Sequence, residues 1–164
     1  MVVSKSFIDV VGGTMKVCRV TVAVLFLMLC VTAGAADRKY IVKPRPDAFK
    51  QVPFSDGVLV GNTLYIAGHL GLDVKTGQPP ESAEEEARLV MDGIKQTVES
   101  AGLTMDDVVT MQVMCTDLKL YDTFNAVYKT YFHADYPARA FLGADKLLRG
   151  ARYEVLGIAV KRAQ

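Results

Sequence analysis

The sequence predicts one α+β domain, a mixed or antiparallel sheet with two helices on one face, and three observations predict it. β-rich runs and helical stripes follow one another in the order β-ββ-α-β-α-ββ, and no internal repeat interrupts that order. Once an apolar leader is set aside, 128 residues remain, the size of a single domain with its own core.

The leader spans residues 1–36. Residues 20–36 carry no charge, the stretch VTVAVLFLMLCVT is strongly apolar, and Lys16 and Arg19 precede it. That is the pattern of a secretory signal peptide, with Ala33, Gly34, Ala35 and Ala36 allowing cleavage after Ala35 or Ala36. Met15 is an alternative start to Met1, because Met15-Lys16 opens a more ordinary signal. An uncleaved anchor is the competing reading, although the 13-residue apolar core is short for a span of about 20 residues. The bulky Leu29 before Cys30 argues against lipid attachment. The working domain is therefore 37–164, expected to be periplasmic or secreted, with no stable membrane span after cleavage.

Losing Lys5, Lys16, Arg19 and Asp9 with the leader changes 19 cations and 18 anions into 16 and 17, a net charge of −1. Such a balance does not call for a nucleic-acid partner. Cys18 and Cys30 leave too, so Cys115 stands alone and no internal disulfide can form. His69 and His133 are isolated and no C-x-x-C occurs, so the pattern holds no metal site.

A leading strand is expected near 40–42, followed by a Pro-interrupted loop. GVLVGNTLYIAG then carries two β-rich runs around Gly61-Asn62, a hairpin signal, and HLGLDVKTGQPPES reads as loop. Ser82 with Glu85 three residues on is a capping box. Ala83, Ala87, Val90, Met91, Ile94, Val98 and Ala101 recur at helical spacing, so a helix is expected over 82–101, stopped by Gly102. Val109, Met111, Val113 and Cys115 alternate with Thr110, Gln112, Met114 and Thr116, the period of a strand. A second helix is expected over 120–132, with Tyr121, Phe124, Tyr128 and Tyr131/Phe132 as its buried stripe. Two strands, near 139–143 and 152–160, close the chain. Two helices cover only one sheet face, so another subunit is expected to cover the face that carries Gln112, Met114 and Thr116.

Two charges sit awkwardly in these strands. In DYPARAFLG, Arg139 falls in a mostly apolar ribbon; in RYEVLGIAV, Glu154 shares its side with Leu156, Ile158 and Val160. An unpartnered charge in such surroundings is costly. Either the two form a structural ion pair or reach solvent at an edge, or Arg139 faces a cleft and takes a substrate carboxylate while Glu154 handles a proton or a water. The planar guanidinium suits the second task, because it can make two parallel bonds to a carboxylate.

PFSDGVLVGNTLYIAGHLGLD, EEARLVMDGIKQTVESAGLTMDDVV, FNAVYKTYF, YPARA and RGARYEVLGIAV resemble, in order and spacing, the reactive intermediate deaminase family, Rid/YjgF, over residues 52–162. The resemblance implies a chorismate-mutase-like α+β fold assembled as a homotrimer, with clefts between subunits. It implies hydrolysis of enamines and imines of the 2-aminoacrylate and 2-iminobutanoate type to 2-keto acids and ammonia, without metal or organic cofactor. Residue by residue, the family's carboxylate-binding arginine falls on Arg139 and its water-orienting glutamate on Glu154. Its pocket positions fall on Phe54, Gly68, Asn125, Tyr128 and Phe141. Phe54 replaces the usual tyrosine; Ala67 and His69 replace a serine and a glutamine; Leu148 replaces a proline; Leu156 stands where a second glutamate is frequent; and Phe141 is bulkier than usual, which argues for a small or flat substrate. The alternative is a non-catalytic binder of small carboxylates, or a chaperone-like member, outside the cytoplasm. RNA cleavage is disfavoured by the neutral charge and the absence of a basic aromatic stripe.

Overall fold

The computed structural model describes residues 36–44, 52–133 and 135–162. The expected signal peptide and most of the Pro-interrupted loop lie outside the described residues. Among the described residues no helix is long and apolar enough to cross a membrane.

Six strands form one sheet: β1 (Arg38–Ile41), β2 (Gly57–Val60), β3 (Thr63–Leu70), β4 (Val108–Cys115), β5 (Ala138–Gly143) and β6 (Tyr153–Val160). Their order across the sheet is β1-β2-β3-β6-β4-β5. Only β4 and β5 run parallel, so the sheet is mixed. Helix α1 (Ala83–Ser100) connects β3 to β4, and α2 (Tyr121–Tyr128), continued by a short 3-10 turn over Lys129–Tyr131, leads into β5.

The caps follow from the local sequence. The Ser82 hydroxyl accepts the Glu85 amide at 3.3 Å, satisfying a first-turn donor, and Gly102 adopts φ +81° just past the last turn. From α1, Ala87, Val90, Met91, Ile94 and Val98 are fully buried, and they meet Leu64, Met111, Val113, Cys115, Tyr153 and Val155 of the sheet and Phe124 of α2 in one core. At roughly 1.5–3 kcal/mol per large apolar side chain, this helix-side layer is the main source of stability.

Three expectations change. Val109 is 47% exposed and Val108 takes the core position, because the β4–β6 register slips between Val108 and Thr110 and a one-residue slip reverses sides. In α2, Val127 occupies the buried stripe, while Tyr121 at the first turn is 44% exposed beside Arg139. Strand β3 runs two residues further than expected, through His69 and Leu70, because a bulge lets pairing with β6 resume beyond Ile66.

Among the described residues no helix covers the other face of the sheet, and that face is largely apolar. Tyr40, Val58, Tyr65 and Ile158 lie in register across four strands, with Tyr40 61% and Tyr65 52% exposed. Leu142 is also exposed there, and Met114, Leu156 and Val160 are only half buried. A contiguous row of this kind is the surface that a further subunit would cover.

Candidate functional site

Strand register decides which candidate residues can meet. Met111, fully buried beneath the helices, pairs with Arg139, and Val113 pairs with Phe141, so the arginine and the phenylalanine project to the helix side of β5. Met114 pairs with both Leu142 and Glu154, placing the glutamate on the helix-free side. Arg139 and Glu154 of one chain therefore stand on opposite faces of the sheet, and the internal ion pair weighed from spacing does not form.

The arginine is framed by aromatic rings. Its guanidinium carbon lies 4.5 Å from the Tyr128 ring centroid, 5.6 Å from that of Tyr121 and 5.7 Å from that of Phe141. Its Nη2 donates to the Tyr121 hydroxyl at 3.5 Å, the outer limit of a hydrogen bond. Phe141 packs edge-on against Tyr121 at 5.0 Å, which fixes the ring that flanks the cation. Cation–π contacts contribute about 0.5–2 kcal/mol each and hold the guanidinium in place.

Arg139 lines a concavity of about 410 Å³ together with Tyr121, Asn125, Tyr128, Lys129, Tyr136 and Pro137. No carboxylate lines it among the described residues. Two polar atoms of residues that line this concavity, Arg139 Nη1 and the Tyr128 hydroxyl, are buried with no hydrogen-bond partner among the described residues. Burial pushes the Tyr128 phenol up to about 12 against a smaller lowering by Arg139, so at neutral pH it is a donor. Two buried donors without acceptors, beside an amide and an ammonium, match a small carboxylate. A slightly larger groove of about 450 Å³ near Lys95, Glu99, Asp106, His133 and Arg162 mixes both signs of charge and shares no residue with this cleft.

The other candidates collect elsewhere. Gly68 sits in the β3 bulge, and a Cβ added there would meet the Glu154 carboxylate and push it aside, so the glycine lets that carboxylate rest against the bulge. Glu154 is half buried. Phe54, in the segment before β2, is 54% exposed. The structure thus joins Arg139, Asn125, Tyr128 and Phe141 at one end, joins Gly68 to Glu154 at another, and does not join the two groups within one chain.

Sequence reasoning missed Glu86. Its side chain is fully buried, accepts the Arg152 amide at 2.5 Å and the Tyr153 amide at 3.1 Å, and pairs with Arg152 Nη1 at 2.6 Å. Arg152 also donates to the carbonyls of Pro80 and Glu81, both at 2.9 Å, so one carboxylate buckles the start of α1 to the start of β6, just ahead of Glu154. The signal was present: Glu86 is three residues after Ala83 and four before Val90, on the apolar stripe.

Fold and cleft together define an α+β protein whose candidate small-molecule cleft is built around an arginine. Comparison with known proteins then gives the family. The endoribonuclease L-PSP family model matches residues 45–161. The 2-iminobutanoate/2-iminopropanoate deaminase of Bos taurus is 39% identical over 110 residues, 66% of this chain and 80% of that protein. The putative reactive intermediate deaminase TdcF of Escherichia coli is 33% identical over 114 residues, 68% of this chain and 88% of that one. The crystal structure of E. coli TdcF with bound serine superposes with a TM-score of 0.68 at 32% identity, covering 76% of this chain and all of the other. The chain belongs to this family, the Rid/YjgF proteins.

Proposed function

We propose that the protein hydrolyses small 2-imino acids and their enamine tautomers, of the 2-iminobutanoate and 2-aminoacrylate type, to 2-keto acids and ammonia. The observation that carries this reading is the pair of buried donors, Arg139 Nη1 and the Tyr128 hydroxyl, which find no acceptor among the described residues, at a cleft that no described carboxylate lines. The deaminase names of relatives at 33–39% identity support it.

In this reading Arg139 binds the substrate carboxylate, Tyr128 and Asn125 supply further hydrogen bonds, and Phe141 limits the side chain that fits. Glu154 holds a water against the imine carbon and takes its proton. Oxygen bonds to that carbon, the nitrogen gains protons, and the tetrahedral carbinolamine releases ammonia as the C–N bond breaks. Free imines hydrolyse in water unaided, so the protein's main contribution is orientation.

Because Arg139 and Glu154 of one chain face opposite ways, the reading requires the glutamate to come from a neighbour. A homotrimer would satisfy both needs, covering the apolar row on the helix-free face and bringing Glu154 of one subunit to the Arg139 cleft of the next. We also infer export to the periplasm or exterior, on the strength of the apolar leader and the small residues that follow it.

The test is keto-acid release from 2-iminobutanoate generated in situ by an amino-acid oxidase. Release faster with protein than without supports the reading; identical rates contradict it. The bound serine of the E. coli relative's structure favours a second reading, a carrier of small amino or keto acids, for which binding without turnover would be the signature.

A further inference from the structure

The bulge that seats Gly68 against Glu154 is held from behind by a histidine. Between Ile66 and His69, β3 advances three residues while β6 advances two, from Gly157 to Val155, so Ala67 and Gly68 bow out of the ladder. A bulged segment loses ladder partners and must find others. The Ala67 amide donates to the Asp56 carbonyl at 3.0 Å, and the Ala67 carbonyl lies 2.7 Å from His69 Nδ1. A carbonyl can only accept, so Nδ1 carries the proton.

The ring's other nitrogen is tied to α1. His69 Nε2 lies 2.9 Å from the Thr97 hydroxyl, which is itself 3.0 Å from the Gly93 carbonyl. Lys43 reaches the same region: its ammonium donates to the Gly93 carbonyl at 2.9 Å, and its amide donates to the Asp56 carboxylate at 2.8 Å. His69 is 8% exposed. A Cβ on Gly93 would approach the imidazole at 3.2 Å, so a glycine, costly in mid-helix, makes room for the ring.

We propose that His69 is a positioning residue: by clasping the Ala67 carbonyl and anchoring to Thr97, it sets the bulge on which the Glu154 carboxylate rests. It touches no substrate, and its effect on turnover rests on the deaminase reading above. A side chain that orients the water-holding group should influence kcat more than KM.

The experiment compares wild type with His69→Leu and His69→Asn, the asparagine being able to place an amide N–H near the position of Nδ1. Steady-state hydrolysis of 2-iminobutanoate and hydrogen exchange of the Ala67 amide are both measured. His69→Leu is expected to lower kcat by about tenfold or more with KM within about twofold, and to accelerate Ala67 exchange. His69→Asn is expected to recover most of both losses. Unchanged kcat and exchange in His69→Leu would overturn the proposal, as would an asparagine variant that loses as much as the leucine one. If wild type itself releases no keto acid, the deaminase reading falls. The exchange data then still decide the bulge claim: protection lost in Leu and kept in Asn upholds it, and equal protection in all three removes it.

Discussion

The two ends of the candidate site are built in opposite ways. Around Arg139 a single chain supplies nearly everything, since three rings grip the cation, Phe124 packs beneath Phe141, and a cleft with unsatisfied donors is already formed. Around Glu154 the described residues supply a floor, the Gly68 bulge, on a sheet face that none of their helices covers. If the proposed deaminase reading holds, the binding half is a property of the subunit, whereas the water-handling half would acquire its purpose when a second chain arrives.

Substitutions can break or sharpen this contrast. The largest expected effect is that of Arg139→Ala. Two charged hydrogen bonds at about 1.5–3 kcal/mol each imply a loss of roughly 10²–10⁴ in kcat/KM, read by keto-acid release. Thermal stability should fall too, because the contacts with Tyr121, Tyr128 and Phe141 are worth about 0.5–2 kcal/mol each, so circular dichroism must show the variant folded at the assay temperature. If activity survives, the cleft has been misjudged.

Glu154→Gln should fall next, by about 10²–10³ in kcat, the usual range for a lost general base. Calorimetric binding of 2-oxobutanoate should persist, because the binding half is intact. Loss of binding alongside turnover would place the glutamate in the wrong half.

The bare face is tested by Ile158→Asp, which sets a charge in the middle of the Tyr40–Val58–Tyr65–Ile158 row. Sedimentation should show a smaller assembly, with helical content retained because the helix-side core is untouched. An unchanged assembly would mean that this face is not the interface. The smallest effect belongs to Val109→Thr: at an exposed position a shift within about 0.5 kcal/mol is expected in urea unfolding, against a larger loss had Val109 been in the core.

These outcomes also separate what was legible in the residues from what was not. The alternation in 153–160 correctly put Glu154 with Leu156, Ile158 and Val160, because a strand's period of two is local information. The same local information could not say that Arg139 and Glu154 face apart. Their relative sides depend on how β5 and β6 each register against β4, a tertiary fact that no spacing within either strand contains. Val109 stands outside the core for a related reason, since a bulge reverses an alternation without a sequence mark. Tyr121 looked like core by helical spacing but serves the cleft, where a ring beside a cation repays its exposure. The Ser82 cap and the Gly102 stop were readable because their chemistry is confined to a few neighbouring residues.

Complementation tests the central claim most directly. Arg139→Ala and Glu154→Ala subunits, each inactive alone, are mixed, dissociated and reassembled in equal amounts. If the arginine of one chain works with the glutamate of another, random assembly leaves about a quarter of the interfaces with both groups intact, and about a quarter of wild-type activity should return. Activity no higher than that of the separate variants would mean that each chain works alone, and would contradict the account.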